Sequence, residues 1–185
     1  MSTLSRRNFA LGAVAVGGLA ACSNGIGGAG QQTIDARVQR TLSYMYSTYP
    51  GTQDLAEKSA GMLVMPVMTE AGFGIGGSYG RGVLQISGTT VDYYSATSAS
   101  AGLQFGAQQF SHVLFFMTNE ALMNFRQSSG WAAGADIEYA LNDNADGIRA
   151  DTTTTRAPVI AVVFAQAGIR IGASLEGIKY TRIIP

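Results

Sequence analysis

The glycine-rich stretch 71–82 contains the residues whose spacing most resembles a chemical site. Its segment GFGIGG at 72–77 satisfies the pattern G-x-G-x-x-G, with which dinucleotide-binding proteins hold a pyrophosphate. Asp92 follows about twenty residues later, where those proteins have the acid that binds ribose. A phosphate loop also needs a helix directly after it, whereas residues 78–86 (SYGRGVLQI) have the pattern of turn and strand. We therefore interpret the match as coincidental.

The glycines of this stretch have a structural interpretation. Because glycine recurs at alternate positions, one face of a strand would carry no side chains, and another element could pack closely against it. The glycines given this role are Gly72, Gly74, Gly76, Gly77, Gly80 and Gly82. We expect a bulky residue at Gly74 or Gly76 to destabilise the fold before it affects any ligand.

Other candidates for catalysis or metal binding are weak. His112, the only histidine, lies in an apolar strand pattern without a G-x-S-x-G motif, so a structural or partly exposed role is favoured. Residues 142–147 (NDNADG) resemble a calcium loop, but Thr153 stands where a glutamate is needed, which favours a solvated hairpin loop. Asp136 and Glu138 share a strand face without the marks of a catalytic pair. We predict no catalytic residue, no metal site and no cofactor, and hence no enzyme.

The first 21 residues predict an export signal that is removed before folding. Its motif residues are Arg6, Arg7, Phe9, Leu19, Ala20 and Ala21. The arginine pair is typical of the twin-arginine route, and the ending before Cys22 resembles a bacterial lipobox. We predict acylation of Cys22, while the alternative is a plain secretory signal with an incidental cysteine. Because Ser23 rather than aspartate follows, the anchor is expected in the outer membrane, with the domain facing the periplasm.

The composition after residue 21 favours one β-rich domain. Removal of the signal leaves 164 of the 185 residues, with ten basic and twelve acidic side chains. Nucleic-acid binding needs a concentrated basic surface, so this balance does not predict it. Cys22 is the only cysteine, which excludes an intrachain disulfide.

Residues 33–185 are predicted to form this single domain, after a Gly-rich tether at 22–32. Two helices are expected first, at 33–49 and 53–60, and a short internal helix follows the N-cap Thr118. The predicted strands lie at 62–68, 83–87, 90–96, 101–107, 111–117, 131–141, 152–155, 159–165, 169–175 and 178–183. Strands and helices do not alternate, so the pattern predicts an α+β fold with a largely antiparallel, barrel- or sandwich-like sheet. Pro66 restricts its strand to an edge or a bulge.

The amphipathic helix at 33–49 is the best remaining candidate for a binding site. Its apolar stripe would close one face of the sheet, or would enter a lipid interface while Arg37 and Arg40 meet headgroups. The helix can have both roles if it packs on the sheet in solution and undocks on a membrane. The candidate lipid-binding residues are Ile34, Arg37, Val38, Arg40, Leu42 and Tyr46.

Five motifs in this order resemble the SYLF domain, a lipid-binding module also described as the yeast actin-patch, Las-seventeen-binding type. They are YPG-x-x-x-LAEKSAGMLVMP from residue 49, EAGFGIGGSYGRGVL from 70, VDYYSATSASAGLQFGAQ from 91, FFMTNEALMNFRQSSGW from 115 and AGIRIGASLEGIKYTRI from 167. The resemblance covers residues 34–183. It implies phospholipid binding with an amphipathic N-terminal helix, and it implies no enzymatic activity.

The resemblance gives Arg37 and Arg40 a headgroup role on the matching helix. Some eukaryotic members bundle actin, which an exported bacterial protein would not meet. We therefore expect a non-enzymatic, lipid-anchored envelope protein whose domain binds phospholipid membranes. The alternative is a structural or interaction module that binds an envelope protein, with its acyl chains as the only lipid contact.

Overall fold

The computed structural model describes residues 28–134, 137–139, 157–165 and 175–185. The predictions for the signal motif, for Cys22 and for most of the tether lie outside these ranges. So do the predicted loop at 142–147, Asp136, Thr153, the strand at 152–155 and most of the strand at 169–175.

Helix α1 (Ala29–Thr48) buries one apolar stripe against the sheet. The buried side chains are Ile34, Val38, Leu42 and Met45, at the spacing of three and four that the sequence predicts. The helix begins four residues before the predicted boundary, so the prediction that residues 29–32 belong to a tether was wrong. The first turn of α1 lies close to Pro185: a Cβ on Gly30 would be 3.7 Å from its carbonyl carbon.

Helix α2 (Gly51–Lys58) follows almost directly. Pro50 takes the N-cap position with helical backbone angles (φ −55°, ψ −35°), so the helix begins before the predicted range 53–60. Thr52, which precedes the predicted range and has a side chain that favours N-cap positions, does not cap this helix. The Thr52 hydroxyl instead donates a hydrogen bond of 2.7 Å to the carbonyl oxygen of Tyr49 and closes the turn between the two helices.

Helix α3 (Asn119–Gln127) has the predicted N-cap. The Thr118 hydroxyl accepts a hydrogen bond of 3.1 Å from the backbone N–H of Ala121. Leu122 and Phe125 form its buried face. Among the described helices, none combines the length and the apolar composition that crossing a membrane requires.

The sheet is built on one very long hairpin. Strand β1 (Gly61–Ile86) pairs antiparallel with β2 (Thr89–Phe116) along almost its entire length. The prediction of several short strands in this region was wrong. The glycines do not interrupt the strand, because its backbone remains paired with β2 along the glycine-rich stretch, where side chains contribute little packing. The connecting turn is Ser87-Gly88, one residue before the predicted turn, and both residues have positive φ as a two-residue hairpin turn requires.

A bulge interrupts the hairpin at Pro66, which the sequence restricted to an edge strand or a bulge. The register shifts between Met65 and Met68, so Pro66 and Val67 have no paired partner in β2. Proline cannot donate a ladder hydrogen bond, and the bulge removes the need for one. The bulged segment lies beside α1, which makes it important for the site described below.

Four shorter strands complete the described sheet: β3 (Trp131–Ala132), β4 (Ile137–Tyr139), β5 (Val159–Phe164) and β6 (Lys179–Ile183). The order is β3-β6-β2-β5-β4, with β1 paired to β2. Only the β4–β5 pair is parallel among the described strands. The predicted α+β single domain with a largely antiparallel sheet is confirmed, and the sheet curls into a half-barrel.

Alternate residues of the sheet supply two apolar cores. Helices α1 and α2 cover one face, which includes Val64, Val83 and Phe115. Helix α3 packs into the other face against Leu84, Phe116 and a set of aromatic rings. That aromatic set comprises Tyr94, Phe116, Phe125, Trp131 and Tyr180.

The glycine face of β1 packs against the beginning of the same strand. A Cβ on Gly80 would lie 2.6 Å from the carbonyl oxygen of Val67, and one on Gly82 would collide with that of Val64. These are backbone atoms, so only glycine permits the approach. The neighbour of Gly80 and Gly82 is therefore the beginning of β1 itself.

Candidate functional site

An open groove of about 330 Å³ lies between α1 and the bulge of β1. It is lined by Arg37, Arg40, Thr41, Pro66, Val67, Thr69 and Gln109. The three residues from α1 share one flank of the helix because they are three and four positions apart. Pro66 and Val67 supply the bulged wall, and Thr69 pairs with Gln109 across the hairpin.

The groove presents hydrogen-bond donors and positive charge. Arg37 and Arg40 are exposed, and the Nε of Arg40 donates a hydrogen bond of 3.2 Å to the carbonyl of Ala36, which fixes its position along the helix. The amide of Gln109 donates to the Thr69 hydroxyl at 3.4 Å. None of the seven lining residues is an acid. Two guanidinium groups beside hydroxyl and amide groups suit an anion such as a phosphodiester.

A second groove, of about 380 Å³, differs in charge. It lies near the C-terminal end of α1, where Tyr46, Gln53 and Glu57 contribute to its wall. Burial, together with the charge of Glu57, raises the pKa of Tyr46. The carboxylate of Glu57 makes this second groove unsuited to anions, so the groove lined by Arg37 and Arg40 is the better candidate.

The structure divides the predicted lipid-binding residues into two groups. Arg37 and Arg40 meet in the groove, whereas Ile34, Val38 and Leu42 are buried between α1 and the sheet. Tyr46 is half-buried, with its hydroxyl 3.9 Å from the sulfur of Met62. The apolar stripe therefore closes the sheet in this structure, and the accessible part of the candidate site is polar.

Sequence reasoning missed the strand side of the groove. Thr69 and Gln109 are 40 positions apart, and they meet only through the register of the long hairpin. The predicted bulge at Pro66 was the available signal, since a bulge exposes a strand wall beside a helix. Thr41 was missed because it lies outside the apolar stripe and carries no charge.

A hydrogen-bonded pair holds the N-terminal part of α1 on the sheet. The Tyr93 hydroxyl lies 2.9 and 3.1 Å from the two carboxylate oxygens of Asp35. Burial, followed by the hydrogen bond to Asp35, raises the pKa of Tyr93, so the phenol remains a donor near neutral pH. This bond and the buried stripe keep Arg37 next to the bulge.

His112 lies in the core on the α3 face of the sheet, against Phe110 and Tyr180, rather than in a reactive site. It is fully buried, and its Nε2 lies 2.8 Å from the hydroxyl of Tyr180. Burial lowers the pKa of His112 to about 3, so the ring is neutral at physiological pH. The sequence favoured a histidine that is either structural or partly exposed. Its complete burial agrees with the structural role and not with partial exposure.

Asp92 does not act with the glycine stretch. Residues 78–86 belong to β1, so the pattern is followed by a strand, as predicted, and not by the helix that a phosphate loop needs. The Asp92 carboxylate instead lies 3.3 Å from Arg126 and 3.5 Å from Arg182. It thereby connects β2 with α3 and β6.

Glu138, the described member of the predicted acid pair, is half-buried in β4. Within the described ranges, no group of His, Cys, Asp and Glu side chains lies close enough together to bind a metal ion.

We predict a modest, salt-dependent loss of stability for Asp92→Asn. Both arginines are a third to a half exposed, so water screens the ion pairs, and the expected loss is about 1 kcal/mol. Urea unfolding at low and at high salt measures it, and the loss should shrink as salt rises. A loss that is independent of salt would show that packing, rather than charge, holds α3 and β6 to β2.

Comparison with known protein families gives a match over the C-terminal part of the chain. Residues 97–182 match the family model described as Ysc84, Las17-binding protein actin regulator. The matched segment runs from within β2, through α3, to the last residues of β6. The motifs that begin at residues 49 and 70 lie before it. A search of curated proteins found no match.

Proposed function

On the premise that this chain belongs to the SYLF (Ysc84) family through residues 97–182, we propose that its domain binds anionic phospholipid surfaces. The family is related to lipid and actin, which is compatible with membrane binding. The observation that carries the proposal is the groove in which Arg37 and Arg40 face the Pro66 bulge with no acid in the lining.

The proposed contact is made by headgroups while α1 stays docked. Insertion of the apolar stripe into lipid would expose the sheet face that Ile34, Val38 and Leu42 now cover. Sheet side chains such as Val64, Val83 and Phe115 would then lose roughly 1.5 to 3 kcal/mol of burial each, so undocking has a large opposing cost. Charge-assisted hydrogen bonds from Arg37 and Arg40 to a phosphate need no such rearrangement.

Vesicle flotation of the domain without residues 1–22 tests the groove. We expect Arg37→Gln with Arg40→Gln to weaken binding to vesicles that contain phosphatidylglycerol by roughly tenfold or more, since each basic group near an anionic surface contributes about 1 kcal/mol. Binding should also fall as salt rises. The matched control is Lys58→Gln with Arg81→Gln, which removes two exposed charges outside the groove. Equal loss in both double variants would reduce the effect to net charge, and no binding by the parent domain would refute the proposal.

We further propose that the protein is an exported, non-enzymatic envelope lipoprotein. The twin-arginine motif, the apolar run and the lipobox-like ending before Cys22 support export and acylation. Ser23 after the cysteine supports the inner leaflet of the outer membrane, with the domain in the periplasm. The mass of the N-terminal peptide tests the acyl chains, and an unmodified Cys22 would contradict them.

A protein-interaction module is the second candidate. The family description names binding to a protein, Las17, and this observation favours a role in protein contacts. For an exported bacterial protein we propose an envelope protein as partner, with actin excluded by compartment. Flotation of the domain without residues 1–22 separates the two functions. If this anchorless domain ignores anionic vesicles at low salt while Cys22 of the full-length protein carries acyl chains, the result fits the interaction module.

A further inference from the structure

Ile184 is the most exposed of the large apolar side chains in the described part of the chain, at 74%. It directly follows β6, and its neighbour Pro185 is buried against the first turn of α1. The contact between Pro185 and Gly30 brings Ile184 to the end of the domain at which α1 begins. A lone exposed apolar residue is common, so its surroundings decide what it means.

Those surroundings are basic. Arg182 lies two positions before Ile184, with 51% of its side chain exposed, and Arg126 is 35% exposed beside it. Arg182 also donates a hydrogen bond of 3.2 Å to the carbonyl of Arg126. The two guanidinium groups share the single carboxylate of Asp92, so two positive groups face one negative group within this ion-pair cluster. An apolar side chain beside guanidinium groups is complementary to the interface of an anionic bilayer.

The length of the chain before α1 restricts where this edge can lie. Between Cys22 and Gly28 there are five residues, which span at most about 20 Å when fully extended. If Cys22 carries the acyl chains of the proposed function, the beginning of α1 stays within that distance of the membrane. The inference therefore rests on the proposed anchor, although it concerns a different surface from the groove.

We propose that the edge formed by Arg126, Arg182 and Ile184, here called the Ile184 edge, rests on the anionic bilayer that holds the anchor. The domain then stands with the first turns of α1 towards the lipid. Arg37 is seven residues beyond Gly30, about 10 Å along the helix, so the groove opens close to the headgroups in this orientation. Two contacts of limited strength would act together because the anchor keeps both near the same surface.

Fluorescent probes on the full lipidated protein test this orientation. Acylation blocks the thiol of Cys22, so Ile184→Cys provides the free thiol for an environment-sensitive dye in vesicles that contain phosphatidylglycerol. Ser47→Cys is the matched control, because it is exposed at the far end of α1, about 25 Å from Gly30 along the axis. We expect a blue shift and quenching by nitroxide-labelled lipid at position 184, and neither at position 47.

Every other result overturns the proposed orientation. Equal exposure to water at both positions would mean that this edge does not touch the bilayer, and protection at 47 alone would mean the opposite orientation. Protection at both would mean a domain lying flat. The probes are independent of the flotation assay. A parent domain that does not float, together with a protected position 184, refutes only the groove contact, whereas normal flotation with water-exposed probes refutes only the edge. Mass analysis of the same sample verifies the acyl chains first.

Discussion

Gly82→Ala should be the most destabilising single-methyl change in the described part of the hairpin. The new Cβ would collide with the carbonyl oxygen of Val64 and would lie 3.0 Å from the Cα of Met65. Val64 is paired with Val113, so its backbone cannot retreat without breaking the ladder. Overpacking usually costs about 1 to 3 kcal/mol, and a rigid backbone neighbour favours the upper end. The melting temperature should then fall by roughly 10 °C, measured by thermal unfolding.

Gly134→Ala is the matched control for this prediction. No atom lies within 4 Å of the position that its Cβ would take, so the methyl group enters open space. The melting temperature should stay constant or rise slightly, because alanine restricts the unfolded chain more than glycine does. Equal melting temperatures for the two variants would refute the role assigned to Gly82. The related expectation for Gly74 and Gly76 stays a prediction.

The helices could be predicted well because their signals are local. The stripe of α1 repeats every three or four residues, and Thr118 has the N-cap position that its side chain favours. Both helix starts were predicted too late. Pro50 adopts helical backbone angles at the N-cap position of α2, and the first turn of α1 lies near Pro185, which is 155 positions away in the sequence.

The hairpin could not be predicted because glycine has two opposite meanings. Local propensity treats each glycine between 72 and 82 as a break, but the structure uses Gly80 and Gly82 for close backbone contact. That contact depends on β1 crossing its own beginning, which no local pattern encodes. Local patterns were also insufficient for the groove. The arginines of α1 could be predicted from the sequence, but Thr69 and Gln109 from the facing strands could not.

The position of α1 changes what lipid binding by this domain would require. From sequence, the stripe and the two arginines looked like one amphipathic surface for a membrane. In the structure they have separate roles, since the stripe is buried and Tyr93 holds Asp35 at the N-terminal part of the helix. A binding mode that relies on Arg37 and Arg40 alone should respond strongly to salt and weakly to the apolar content of the bilayer.

Acid should destabilise the fold through His112. Burial lowers the pKa of this group from 6.5 to about 3, so below pH 6.5 the unfolded chain binds a proton that the folded protein cannot. The stability present above pH 6.5 is therefore lost as pH falls towards 3. At pH 5, where most carboxylates are still ionised, the loss should be about 2 kcal/mol relative to pH 7. Urea unfolding at several pH values measures it.

Two variants separate the titration of His112 from its packing. His112→Gln does not titrate, so it should be less stable than the parent at pH 7 and yet nearly constant between pH 7 and 5. Tyr180→Phe removes the partner of Nε2 but leaves the buried imidazole, so it should lower stability and keep the slope. A parent protein whose stability does not change between pH 7 and 5 would contradict a buried neutral histidine. A slope that persists in His112→Gln would assign the acid sensitivity to other groups.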